Sequence, residues 1–243
     1  MAKSRTTSPK RILWGLLPLA CMFALTASAQ ETPIDVPTLN QSPLVSEGYY
    51  LLEIGDSKAA LERFQQALVE DKNNLSARLG QAMILAELER HPEAFASFDT
   101  IVQAHPHHAF AWNGRGLAAY NMEDFDTALS SFEHATAEQP VNGFFYETLA
   151  WTQLCRGEYN EAAASAKTAT LMYNRQSESS TYPPLIAYFA YLQTGDRKNA
   201  NASLKYAVQN KPTFAWPAPV IDYLSGKIAA PELISFVTET AQE

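Results

Sequence analysis

Between residues 43 and 214 the apolar positions fall in runs of roughly twelve to fourteen residues with helical spacing, separated by short polar turns. No alternating apolar–polar stretch of useful length interrupts them, which argues against strands. The turns carry helix-breaking pairs: Gly55-Asp56, His91-Pro92, Gly157-Glu158 and Gly195-Asp196. Every proline beyond residue 42 stands before a repeat, between runs, in a first helical turn or in the tail. In a helix interior it would cost about 3 kcal/mol, so the prolines mark helix ends. The pattern predicts paired helices throughout.

The pairs repeat. Ala60, Ala94, Ala128 and Ala162 are spaced by 34 residues, and Ala200 follows 38 later, which places a four-residue insertion within Ser177–Ser180. Four positions beyond each alanine stand Phe64, Phe98, Phe132, Ala166 and Leu204; seven beyond stand Ala67, Ile101, Ala135, Ala169 and Ala207. Twelve before stand Gly48, Ala82, Gly116, Ala150 and Tyr188, and twelve beyond stand Lys72, Pro106, Pro140, Asn174 and Pro212. Small residues let two helices approach closely, and the phenyl ring fills the space beside them. A single pair cannot bury its own apolar face, so successive pairs must stack.

This set of positions resembles the tetratricopeptide repeat (TPR) family. Its pattern asks for a small residue at position 8, Ala at 20, an aromatic at 24, Ala at 27 and Pro at 32. Trp112 and Tyr146 supply the aromatic at position 4, and Tyr191 that at position 11. The likeness is best over 109–142 and thins where Ala166, Asn174 and Tyr188 depart from the pattern. It implies an all-α right-handed superhelix (a solenoid) of about five helix-turn-helix repeats, over 41–74, 75–108, 109–142, 143–176 and 177–214. Residues 215–243 read as helical capping segments. There Val220–Leu224 and a last helix opened by Pro231 and running through Phe236 are expected.

Ahead of the array, residues 1–29 read as a secretory signal. Lys3 to Arg11 is basic, Ile12 to Thr26 is apolar, and Ala27-Ser28-Ala29 suits cleavage after Ala29. An uncleaved anchor and a lipid-modified Cys21 are the alternatives. Residues 30–42, with Pro33 and Pro37, read as a flexible linker. A cleaved chain would be periplasmic or secreted, with no membrane insertion. The 243-residue chain carries a net charge of −8. The leader holds four of the eighteen Lys and Arg and no acid; without it, fourteen face twenty-six Asp and Glu, a net −12. Such a surface argues against nucleic acid, which binds through clustered cations. With Cys21 removed, Cys155 is the only thiol and no internal disulfide can form.

The chemistry-bearing residues point to binding. The resemblance implies a ligand groove on the concave face, built mostly from the first helix of each repeat. Its positions hold Tyr49, Met83, Phe110, Asn113, Leu117, Tyr120, Asn121, Phe144, Glu147, Trp151, Leu154, Tyr182, Leu185 and Phe189. That face is rich in aromatics, which supply large contact area at low entropic cost; packing between helices is the competing role for each. The family's carboxylate clamp of Lys, Asn and Arg has no counterpart: Val45, Tyr49, Gly80, Phe110 and Gly114 stand there.

His105-Pro106-His107-His108 offers three imidazoles for a metal-dependent sensor, yet Pro106 occupies the ordinary connector position. No nucleophile motif or phosphate loop occurs, and Cys155 has no base placed beside it. The expectation is a non-catalytic, cofactor-free adaptor of the cell envelope docking a protein or peptide segment. A self-associating envelope component is the second reading.

Overall fold

The computed structural model describes residues 42–176, 178, 180–212 and 216–240. The leader, its cleavage site, Cys21 and all of the linker but Ser42 lie outside the described residues. The described chain is all-α, with twelve helices and, among the described residues, no strand. It forms two compact units, one ending at Arg90 and one beginning at His91.

The first unit holds α1 (Pro43–Glu53), α2 (Ser57–Glu70) and α3 (Leu75–Glu87), with α2 packed on both others. Its core is Val45, Ala60, Phe64, Ala67, Ala77 and Ile84. The Phe64 ring is fully buried and lies between two glycines. A Cβ on Gly48 of α1 would come within 2.7 Å of it, and one on Gly80 of α3 within 2.3 Å. Both separations are far below contact distance, so these positions are glycine because the ring needs the space.

The second unit comprises α4 (His91–Ala104), α5 (Ala109–Asn121), α6 (Phe125–Glu138), α7 (Gly143–Arg156), α8 (Tyr159–Arg175), α9 (Tyr182–Gln193), α10 (Arg197–Asn210), α11 (Ala218–Leu224) and α12 (Ala230–Thr240). Each helix packs on the next in the chain, and α5, α7 and α9 also touch in succession. The ring-and-glycine device recurs. A Cβ on Gly116 would meet the Phe132 ring at 2.6 Å, and one on Gly114 the Phe98 ring at 2.4 Å. The five marker alanines, Ala60 through Ala200, all have no exposed surface.

Helix starts follow a rule of their own. Asp56, Asp124 and Asp196 accept the N–H of the third residue on, capping α2, α6 and α10. Asn74 and Asn142 cap α3 and α7, and His108 caps α5 through its ring nitrogen. Each satisfies backbone donors that the helix itself leaves unpaired. The turns inside the pairs place Gly55, Glu89, Glu123, Gly157 and Gly195 at positive φ, one equivalent position in each repeat.

Three expectations are corrected. His91-Pro92 is not the turn of its repeat but the first turn of α4; the turn is made just before it, with Glu89 at φ 56°. The insertion does not lie wholly in the connector. α8 absorbs much of it, with 17 residues against 14 in α2, α6 and α10. The tail's two helices form, but α12 continues beyond Phe236 to Thr240.

Candidate functional site

In the first unit Tyr49 is half-buried. Its ring meets Phe64 edge-on at 5.1 Å, and its hydroxyl donates to the Ser76 carbonyl at 2.9 Å. Burial pushes its pKa up to about 12, so it stays a neutral donor tying α1 to the start of α3. Met83 is half-buried on α3.

In the second unit the predicted positions lie on α5, α7 and α9, the helices that touch in succession. Phe110 is exposed and packs edge-on against Phe145 at 5.2 Å. Leu117 and Tyr120 are half-buried over Ala119, Ala128, Phe132 and Leu149. Tyr120 also meets Phe125 edge-on at 5.4 Å, and its hydroxyl lies 3.5 Å from the Cys155 sulfur. Phe144 is half-buried and, like Trp112, packs against the cluster of Ala109, Ala135 and Phe145. Trp151 and Leu154 are half-buried with Tyr191 over Ala150, Ala166, Ile186 and Ala187. Phe189 is half-buried against Leu185, Ala207 and Ile221, and Tyr182 is half-buried as well. Asn121 is exposed.

The structure corrects two of these positions, and a third, Leu185, is likewise buried at 4% exposure. Asn113 is only 4% exposed and Glu147 only 3%. Neither side chain faces solvent. Asn113 accepts the Thr148 hydroxyl at 3.0 Å, joining α5 to α7 inside the protein. Glu147 accepts the Ser180 hydroxyl at 2.9 Å, and the Tyr173 hydroxyl also bonds to it. Helical spacing puts them on the groove side, but Thr148 of the neighbouring helix meets Asn113 and Ser180, just ahead of α9, meets Glu147. The partners Thr148, Tyr173 and Ser180 carry no sequence signal of this role; only the insertion near Ser180 hinted that the connector does something different there.

With those side chains turned inward, the accessible part of the row is uncharged: Phe110, Leu117, Tyr120, Asn121, Phe144, Trp151, Leu154, Tyr182 and Phe189. The Trp151 indole nitrogen is buried without a hydrogen-bond partner. Nearby charge is tied up elsewhere. Arg115 pairs with Asp99 at 2.7 Å, donates to Ser131 at 2.7 Å, and lies over the Phe95 ring at 4.6 Å. The absent carboxylate clamp gains a physical reason: Gly80 and Gly114 hold space for phenylalanine rings, and Val45 is fully buried.

The imidazole trio is not assembled. His108 Nδ1 accepts the Ala111 N–H at 3.1 Å, and burial lowers its pKa, which keeps it neutral for that task. His107 Nδ1 lies 3.2 Å from the Glu138 carboxylate, and His105 is exposed. Among the described residues no group of three or more His, Cys, Asp or Glu is placed to hold a metal. His134 stacks on Trp112 at 4.3 Å, while the Trp112 indole N–H donates to the Pro106 carbonyl at 2.7 Å. Among the described residues no helix is long and apolar enough to cross a membrane.

Helix pairs packed in chain order, with a 34-residue register of small residues facing aromatic rings, define a helical-hairpin repeat protein. A tetratricopeptide repeat model matches residues 45–109 and 113–180, more than half of the sequence, and the chain belongs to that family. No curated protein matches the sequence. Solved structures share the fold at low identity. TTC0263, a thermophilic TPR protein of Thermus thermophilus, is 20% identical with a TM-score of 0.56, over 70% of this chain and 91% of its own. A fragment of MamA (residue 41 to the end) from Desulfovibrio magneticus RS-1 is 16% identical with a TM-score of 0.61, over 71% and 97%. YrrB, described as a TPR protein with an unusual peptide-binding site, is 16% identical with a TM-score of 0.61, over 78% and 93%.

Proposed function

We propose that the chain is a non-catalytic adaptor that docks an apolar, uncharged protein segment along the row on α5, α7 and α9. The observation that carries this reading is the composition of the row. Phe110, Tyr120, Phe144, Trp151, Tyr182 and Phe189 are exposed or half-buried on three helices that touch in succession, and none of the accessible side chains of the row is charged, in a chain whose net charge is −8. Aromatic anchors of this kind dominate binding energy, and a charged segment would lose solvation there without gaining a partner. The peptide-binding site ascribed to YrrB supports the same kind of task on the same fold. The leader over 1–29 would deliver the adaptor to the cell envelope.

Two measurements test this. A photo-crosslinker placed at position 117 should trap a protein partner in the native cell. Combining Tyr120→Ala with Trp151→Ala should abolish that product; a double variant that retains every partner overturns the groove. N-terminal sequencing of protein from the envelope should begin at Gln30, and a cytoplasmic, unprocessed chain would refute the location.

A further inference from the structure

Glu147 is a carboxyl placed where a protein rarely tolerates one. It sits mid-helix on α7, 3% exposed, with two hydroxyls for company. One comes from Tyr173, near the end of the lengthened α8. The other comes from Ser180, in the connector that the insertion provides before α9. Ser180 also accepts the N–H of Tyr182, the first residue of α9, at 3.4 Å. A single carboxyl therefore gathers Tyr173 at the end of one helix and Ser180, just ahead of the start of another, onto α7.

Among the described residues no cation is paired with it. α9 contains no charged residue. On α5, Arg115 is directed to Asp99 and Ser131. On α7 itself, Arg156 is paired with Asp126 of α6 and with Glu158. The remaining ionisable groups of α6 are exposed (Glu133, His134 and Glu138), with Glu138 facing His107. Those of α8, namely Glu161, Lys167 and Arg175, are exposed too. Tyr159 of α8 and Tyr188 and Tyr191 of α9 are half-buried, and Tyr182 of α9 is reached through Ser180. Asn113 of α5, which approaches through Thr148, is neutral. An ionised carboxylate here would be buried with hydroxyl dipoles alone to solvate it.

We infer that Glu147 is a proton-held latch, which in its protonated form clamps Ser180 and the end of α8 onto α7 and in its ionised form releases Ser180 and the first turn of α9. The energetics agree in direction. Burial, the largest influence, pushes Glu147 up to about 7 from its ordinary 4.5, while the Ser180 and Tyr173 hydroxyls pull the other way. The closed state binds the proton more tightly than the open one. The latch is therefore fully held below about pH 4.5 and is lost as pH rises through 7. The inference stands on the fold and does not require the groove. Because α9 carries Tyr182 and Phe189, though, the latch would also set the last wall of the aromatic row.

Hydrogen exchange tests it on the full chain, with α5 and α6 as internal reference for the intrinsic pH dependence of exchange. Opening read at the amides of Ser180, Thr181, Tyr182, Leu185 and Ile186, Pro183 and Pro184 having none, should rise relative to that reference roughly tenfold per pH unit between about pH 5 and 7, then level off. Glu147→Gln keeps the shape and an acceptor but cannot ionise, so its relative opening should be flat across the range. A flat wild type overturns the latch, as does a Glu147→Gln variant that retains the slope. Should that variant not fold, carboxyl-detected NMR of the wild type decides. A Glu147 midpoint near 7 that moves together with the Ser180 amide supports the latch; an ordinary midpoint, or one without coupling to Ser180, overturns it.

Discussion

Glu123 adopts φ 62° and Glu89 φ 56°, a region where a side chain carries a steric cost of about 1–2 kcal/mol. Equivalent positions in the other repeats are Gly55, Gly157 and Gly195, which bear no such cost. Glu123 is exposed and its position lies outside the aromatic row. Glu123→Gly should therefore stabilise the protein by about 0.5–1 kcal/mol, read as a higher urea midpoint with unchanged slope. The unfolded chain's gain in freedom is what keeps the figure below the full strain. Gly80 offers the opposite case. Gly80→Ala would drive a methyl into the buried Phe64 ring, and the ring is held from its other side by Gly48. A loss of about 1–3 kcal/mol is expected in the same measurement. Combining Gly80→Ala with Phe64→Leu should recover part of it, because the smaller side chain yields the space.

Six of the described helices, α2, α3, α5, α6, α7 and α10, begin at a side-chain cap, and the residue that caps is decided by position more than by type. Asp and Asn at these places are readable from sequence because their side chains are known to accept N–H groups. His108 is not: with His105 and His107 it reads as part of an ordinary connector, with a metal site as the alternative, and its task emerges only when Nδ1 is seen 3.1 Å from the Ala111 N–H. Capping needs the neutral ring. Burial lowers the His108 pKa, so its contribution is present above the ordinary value of 6.5 and is lost as pH falls below it. His108→Asn should preserve the start of α5 and remove that pH dependence, whereas His108→Ala should cost about 1 kcal/mol at neutral pH. Thermal melts at about pH 5 and 8, on either side of the ordinary imidazole value, separate the three proteins. The register of the helices themselves was legible, since Ala60, Ala94, Ala128, Ala162 and Ala200 recur in step and are each fully buried. The inward turn of Asn113 and Glu147 was not. Spacing along α5 and α7 cannot report that Thr148 and Ser180 will come from other elements to receive them.

Within the second unit each helix rests on its chain neighbours, so stability there is passed from pair to pair instead of being pooled in one central core. An array of this kind should open from an end, and the end is held by few side chains. Ile221 of α11 is fully buried against Leu185 of α9 and Ala207 of α10, and it is the chief apolar plug closing that pair. Lys211 and Lys227 both pair with Asp222 beside it, but these are partly solvated contacts of small worth. Ile221→Ala removes the plug and leaves a cavity, at a cost of about 2–5 kcal/mol. If stability were shared throughout the unit, that cost would lower hydrogen-exchange protection equally in every helix. If it is passed between neighbours, α9 and α10 should lose protection first and most, while α5 and α6 keep theirs. Exchange measured by mass spectrometry on both proteins distinguishes the two. A uniform drop would show that the pairs behave as one block, and the proton-held release of α9 at Glu147 would then have no independent segment to release.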